Sequence, residues 1–219
     1  MNKIEAVIFD MDGVLIDTER ISFESFKEVF KDYDYDINEE FYVTMIGRNA
    51  QGLEIYMKEK YGKDFPFQDI YEKKVKLSRS IIDRDGVIIK PGVHELIDYL
   101  RENNFKIAVA TSTRRERAIK SLEEIEIKDK VDYIICGDQV KNSKPDPEIF
   151  IKAAEGLNVA PENCIVIEDS EAGIRAACNS NIRAINVPDM RKPDNIIREL
   201  SFKICDNLMD VKRYLKSIN

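Results

Sequence analysis

Short, continuously apolar runs recur along this chain, mostly separated by stretches in which apolar residues return every three or four positions. Residues 4–9, 106–110, 132–136, 164–168, 183–187 and 203–205 have the length and the polar flanks of buried strands. Helical spacing occupies 92–103, 114–125, 147–157, 171–180, 194–200 and 207–217. Strand and helix in alternation predict an α/β fold, a parallel sheet with right-handed crossovers. The interval between the first two strands breaks this rhythm. From Thr18 to Arg84 strand signals are few. Helical faces stand out instead at Phe23, Phe26, Val29 and Phe30, at Leu53, Ile55, Tyr56 and Tyr61, and at Ile70, Val75, Leu77 and Ile81. An insert of that length is a second, helical domain rather than a loop. The predicted division is a core of residues 1–16 and 88–219 and a helical domain of residues 17–87, joined at about Leu15–Thr18 and Asp83–Lys90.

Composition narrows the class. A chain of 219 residues can form one large core, or a core plus a small domain, and 43% hydrophobic residues is ordinary for a soluble globule. No apolar run approaches the roughly 18 residues of a membrane span. With the first strand starting at Ile4 and containing Glu5, no secretory leader is expected. A net charge of −7 argues against nucleic acid and anionic membrane surfaces as partners. Cys136, Cys164, Cys178 and Cys205 have no metal-ligand spacing, and most lie in or beside apolar runs. Reduced core thiols in a cytoplasmic protein are expected, with a monomer as the expected state. No internal repeat or low-complexity segment is present.

The chemistry lies where strands end. The first strand runs into Asp10-Met11-Asp12-Gly13, two carboxylates one residue apart at the place where α/β sheets bind ligands. Such acids can serve as nucleophile, metal ligand or acid/base. A plain polar turn explains the motif equally well by itself, since Asp and Gly are turn residues. Three later segments break the tie. The second strand ends in Thr111-Ser112-Thr113 before a polar helix. Lys144-Pro145-Asp146-Pro147 stands at another helix entrance. The run Ile165-Val166-Ile167 ends in Glu168-Asp169-Ser170, with Gly173 shortly after.

In this order the four segments resemble the four-motif pattern of the haloacid dehalogenase (HAD) superfamily, from Met1 to about Asp210. The closest resemblance is to its small-helical-cap branch, which contains sugar phosphatases and beta-phosphoglucomutase. The resemblance implies a Rossmann-like, HAD-like core with the helical insert as its cap. It implies an Mg²⁺-dependent phosphoryl-transfer enzyme acting on a small phosphorylated metabolite. Asp10 would be nucleophile and metal ligand, and Asp12 the acid/base, its backbone carbonyl also on the metal. Asp169 would be a second carboxylate ligand, and Glu168 a ligand directly or through water. Hard oxygen donors suit Mg²⁺, and a cation relieves the repulsion between a carboxylate and a phosphate dianion. Thr111 and Ser112, expected at a helix start, would hold phosphoryl oxygens, although an ordinary N-cap fits them too. Lys144 would face Asp10, its flanking prolines arguing for a rigid loop over a solvated surface lysine. Asp146 and Ser170 read as helix caps.

The cap should carry substrate choice. Ile46-Gly47-Arg48-Asn49 is a candidate substrate-binding loop, with Arg48 able to fork onto a hydroxyl or a second phosphate and a surface turn as the bland alternative. Arg114 and Arg115 could reach a distal phosphate or lie on a helix surface. His94 reads as structural. Compared with beta-phosphoglucomutase, Ser22 stands where a His is kept and Ala50 where an Arg is kept, and Arg114-Arg115 replaces a Lys-Asn pair. These departures favour a phosphatase over a mutase. Dehalogenases lack the second acid, so Asp12 counts against them. A receiver-type phospho-acceptor module would share the acids, the Thr, the Lys and Mg²⁺, but has no helical insert after its first strand.

Overall fold

The structure is a computed structural model that describes residues 3–48 and 50–218. The chain divides into two compact units, residues 1–17 with 87–219, and residues 18–86. The second unit is helical: α1 (Thr18–Lys31), α2 (Glu39–Val43), α3 (Ala50–Tyr61) and α4 (Phe67–Asp85). Its centre is aromatic. Phe30 is fully buried and meets Phe26, Tyr61 and Phe65 edge-on, with ring centroids 5.8 to 5.9 Å apart, the arrangement that sets a positive ring edge against a negative face. Three of these helices lie where apolar spacing predicts them, although α3 turns Leu53 and Met57 inward. The fourth, α2, is too short to show a period; Asn38 starts it by accepting from the Phe41 N–H at 2.8 Å. Helix α4 runs on to Asp85, so the second link begins later than the expected Asp83. Ile55, expected on an apolar face, is 55% exposed.

The other unit is built on six strands among the described residues: β1 (Ala6–Phe9), β2 (Lys106–Thr111), β3 (Tyr133–Cys136), β4 (Cys164–Glu168), β5 (Arg183–Asn186) and β6 (Lys203–Ile204). They pair in parallel in the order β3-β2-β1-β4-β5-β6. Both faces are covered. Val7 and Phe9 of β1 enter one apolar layer and Ala6 and Ile8 the other, which is why the strand reads as a continuous run instead of an alternation. Residues of α5 (Val93–Glu102), α6 (Arg115–Glu124) and the last described helix (Leu208–Ile218) fill the first layer. Those of α7 (Glu148–Leu157) and α8 (Glu171–Asn179) fill the second. There Ala108 and Ala110 share a layer with Ala153, Ala154, Ala176 and Ala177, small residues that let helices approach the sheet closely. All four cysteines are free thiols, three of them buried. Among the described residues, no helix is long and apolar enough to cross a membrane.

Candidate active site

The strand order decides where the polar residues meet. β1 lies between β2 and β4, with Phe9 in register with both Val109 and Ile167. The carboxyl ends of these strands therefore present Asp10, Thr111 and Glu168 side by side. Their neighbours β2 and β4 extend in opposite directions from β1, the switch point at which open α/β sheets bind ligands.

Asp10, Thr111 and Glu168 are all buried, and Lys144 comes to them from the loop before α7. Its side chain is only 7% exposed. The ammonium donates to Asp10 Oδ1 at 2.5 Å, to Glu168 Oε1 at 2.8 Å and more weakly to the Ala110 carbonyl at 3.3 Å. A solvated surface lysine is thereby ruled out. Burial alone would lower its pKa, but the attraction of Asp10 and Glu168 outweighs this and the ammonium is held above its usual range. Asp10 is pushed up to about 7, first by burial, which Lys144 opposes, and further by the nearby charges of Glu168 and Asp12. Oxygens of Asp10, Glu168 and Asp169 lie within 4.8 Å of one another. One lysine thus faces several crowded acids.

Glu168 is fixed at both oxygens. Oε1 accepts from Lys144, and Oε2 accepts from the Ser170 N–H at 2.6 Å and the Ser170 hydroxyl at 2.9 Å. The Ser170 hydroxyl in turn accepts from the Gly173 N–H at 3.1 Å, so Ser170 caps α8 as expected. A Cβ on Gly173 would collide with Glu168 Oε1. At Gly13, with φ of +82°, an added Cβ would fall 2.5 Å from Asp169 Oδ2. These glycines let backbone press directly on the acids.

Thr111 differs from the expectation at one point. It is the last residue of β2, and α6 starts only at Arg115. Its hydroxyl oxygen accepts from the Thr113 N–H at 3.0 Å, closing a local turn in place of a helix cap. Asp12 Oδ2 accepts from the Thr113 hydroxyl at 2.8 Å and from the Thr111 hydroxyl at 3.3 Å. Ser112 and Arg114 are exposed. Arg115 turns back to the end of β3, where its guanidinium donates to the Ile134 carbonyl and to Gln139, both at 3.4 Å.

Several supporting residues were not anticipated from the sequence. Glu148 accepts from the N–H groups of Lys141 and Asn142, both at 2.9 Å, and so fastens the loop that carries Lys144. Asp146 accepts from the Glu148 N–H at 2.9 Å, in keeping with its expected cap role. Asn186, fully buried on β5, donates to the carbonyls of Glu168 and Asp169 at 3.1 and 3.0 Å and sets the backbone of both acids. The visible signal for Asn186 was a polar residue inside an apolar run. Thr113 stood in the Thr111-Ser112-Thr113 segment without a role of its own, and Glu148 carried no signal.

In the helical unit, Arg48 lines a cavity of about 180 Å³ together with Glu19, Ser22, Tyr42, Tyr71 and Lys74. Its guanidinium stacks on Tyr56, 4.1 Å from the ring centroid, and donates to the Thr44 carbonyl at 3.1 Å. The Tyr42 hydroxyl donates to Glu19 at 2.6 Å and lies 2.7 Å from the Ser22 hydroxyl. Burial lowers the Lys74 pKa, with Glu19 opposing. Asn49 lies outside the described residues.

A buried lysine between two acids, with threonine and further acids on neighbouring strand ends, is the constellation that the four sequence motifs led us to expect. Residues 7–187 match the family described as Haloacid dehalogenase-like hydrolase. The chain belongs to that family. A HAD-like relative from Thermotoga maritima, "Phosphorylated carbohydrates phosphatase", is 37% identical over 183 residues, covering 83% of this chain and 84% of the relative. Another, "Beta-phosphoglucomutase" of Bacillus subtilis (strain 168), is 31% identical and covers 90% and 91%. The crystal structure of beta-phosphoglucomutase from Clostridium difficile superposes with a TM-score of 0.73 at 30% identity, covering 98% of this chain and 96% of that one. Membership of the HAD-like hydrolase family therefore stands on the sequence, the structure and the relatives together.

Proposed function

We propose that this chain is a phosphatase of small phosphorylated metabolites, sugar or polyol phosphates, working through an aspartyl-phosphate on Asp10. The observation that carries the reading is the convergence of Asp10, Lys144 and Glu168, with Asp12 placed beside them on threonine hydroxyls. The 37% identity to a carbohydrate-phosphate phosphatase supports the substrate class.

The donor set fits Mg²⁺. Several carboxylates crowd around one lysine, and Asp10 rises to about 7, first through burial and then through the charges of Glu168 and Asp12. Asp10, Asp169 and the backbone carbonyl of Asp12 would hold the cation. Glu168 would act through water, because both of its oxygens already accept from protein donors. When bound, the cation supplies positive charge between nucleophile and substrate dianion.

The chain's own residues do the rest. A carboxylate oxygen of Asp10 bonds to phosphorus as the bond from phosphorus to the leaving oxygen breaks. Asp12 gives that oxygen its proton. Water then attacks phosphorus, Asp12 takes a proton from it, and inorganic phosphate leaves with Asp10 restored. Lys144 offsets the charge of the transferring group, and Thr111 donates to a phosphoryl oxygen. Arg48 and its loop contribute to substrate choice from the cap.

The second reading, a phosphomutase, is favoured by the 31% identity to a beta-phosphoglucomutase. A mutase must keep water from its phospho-enzyme while an intermediate reorients. Ser22 cannot gate a proton as a titrating imidazole can, and Ala50 cannot bind a phosphate. The deciding measurement uses β-glucose 1-phosphate, catalytic glucose 1,6-bisphosphate and Mg²⁺, with free phosphate and glucose 6-phosphate followed in parallel. Free phosphate is expected to form faster, and excess chelator is expected to stop its release. Glucose 6-phosphate formed much faster overturns the phosphatase reading, and full activity in chelator overturns the metal-assisted one.

A further inference from the structure

Asp12 must present a proton to a leaving oxygen and then collect one from water, so its carboxyl group has to be held in one orientation through both half-reactions. Two hydroxyls hold it in the structure, and they are unequal. Thr113 Oγ1 donates to Asp12 Oδ2 at 2.8 Å, at the centre of the range for such bonds, whereas Thr111 Oγ1 lies at 3.3 Å, beyond it. Thr111 has a competing task. Its hydroxyl has one proton, and that proton is needed by a phosphoryl oxygen once substrate is bound. Its oxygen meanwhile accepts from the Thr113 N–H. With substrate in place, Thr113 is the hydroxyl of the pair that still points at Asp12.

We infer that Thr113 is the positioning residue for the acid/base, holding Asp12 through Oδ2 in one orientation during both half-reactions. The inference rests on the phosphatase reading above and gives a role to Thr113, the member of the Thr111-Ser112-Thr113 segment to which that reading assigns none. The main-chain links of Thr113, its N–H to Thr111 and its carbonyl accepting from the Gly137 N–H at 3.1 Å, do not depend on the side chain. The hydroxyl can therefore be removed without cutting the turn.

The test exploits the leaving group. An alkoxide leaves poorly without a proton, whereas p-nitrophenolate leaves readily. A residue that only supports the fold affects both esters alike, and one that orients the acid affects the alkyl ester selectively. Thr113→Val is expected to lower kcat/KM, which reports the phosphorylation step in which the two leaving groups differ, about ten- to a hundredfold on glycerol 3-phosphate and less than about threefold on p-nitrophenyl phosphate, while the shared hydrolysis of the phospho-enzyme slows kcat on both. Thr113→Ser should restore most of the lost activity, Thr113→Ala should reproduce the Val pattern if Val perturbs packing, and Asp12→Asn should show the same selectivity more strongly. Equal losses of kcat/KM on the two esters, or a Ser variant as slow as Val, overturns the assignment while leaving the phosphatase reading intact. A wild-type protein that hydrolyses neither ester overturns that reading, and this inference with it.

Discussion

The two units bury their polar groups in opposite ways. In the sheet unit, Asp10, Thr111, Glu168 and Asn186 are buried at strand ends, and their partners come from distant parts of the chain: Lys144 on Asp10, Asn186 on the backbone of Glu168. The helical unit packs a mainly aromatic centre around Phe30, and its polar residues meet at the rim of a cavity, as Tyr42 does with Glu19 and Ser22. A buried charge is costly unless paired, so a cluster of buried acids is retained where it performs chemistry. An aromatic centre performs none and gives only a stable platform. The difference teaches that the buried acids and their partners gather at the strand ends, whereas the helical unit keeps its buried centre largely free of charge.

The strongest attempt to break this division is Asp10→Asn. An amide is neither a nucleophile nor a good ligand for a hard cation, so turnover should fall by about a thousandfold or more with the thermal midpoint little changed. Activity within tenfold of wild type removes Asp10 from its role. A smaller effect comes from Gly173→Ala, where the new methyl meets Glu168 Oε1. A stability loss of about 1–3 kcal/mol by urea unfolding is expected. A drop in kcat of about tenfold or more should accompany it as Glu168 shifts against Lys144. An unchanged kcat would mean that Glu168 need not be fixed. The smallest effect sharpens the comparison from the other unit. Tyr42→Phe deletes the hydroxyl that serves Glu19 and lies beside Ser22, which should cost about 1 kcal/mol of stability. Its kcat on a small ester should stay within about twofold of wild type. A kcat loss beyond tenfold would place Tyr42 in the reaction and end the division of labour.

What could be read in advance follows the same boundary. β1, β2 and β4 were legible because both faces of a central parallel strand are apolar, and the acids at their ends stood out against that background. Lys144 was legible through its prolines. Thr111 was read too far into the following helix, because a strand-end turn and a helix cap use the same residue types. Thr113 lay inside a recognised segment without a readable role, and Glu148 could not be found at all. Their importance lies in what they touch, Asp12 at the neighbouring strand end and the N–H groups of Lys141 and Asn142, and sequence spacing shows neither pairing. In the helical unit the aromatic period gave the long helices, but α2 is held by a cap and packing, not by a repeat.

The central place of β1 also sets a timetable. Ala6 pairs with Lys106 on one side and with Cys164 on the other. As the chain is synthesised from its amino end, the first strand emerges long before either neighbour, and its apolar side chains wait uncovered while local contacts can already assemble the helices of residues 18–86. The acid cluster cannot exist until Asp169 has been added. The nascent protein therefore passes most of its synthesis with Asp10 in place and the acid cluster unmade, so a chain truncated anywhere before β4 carries Asp10 without Glu168 and Asp169 beside it.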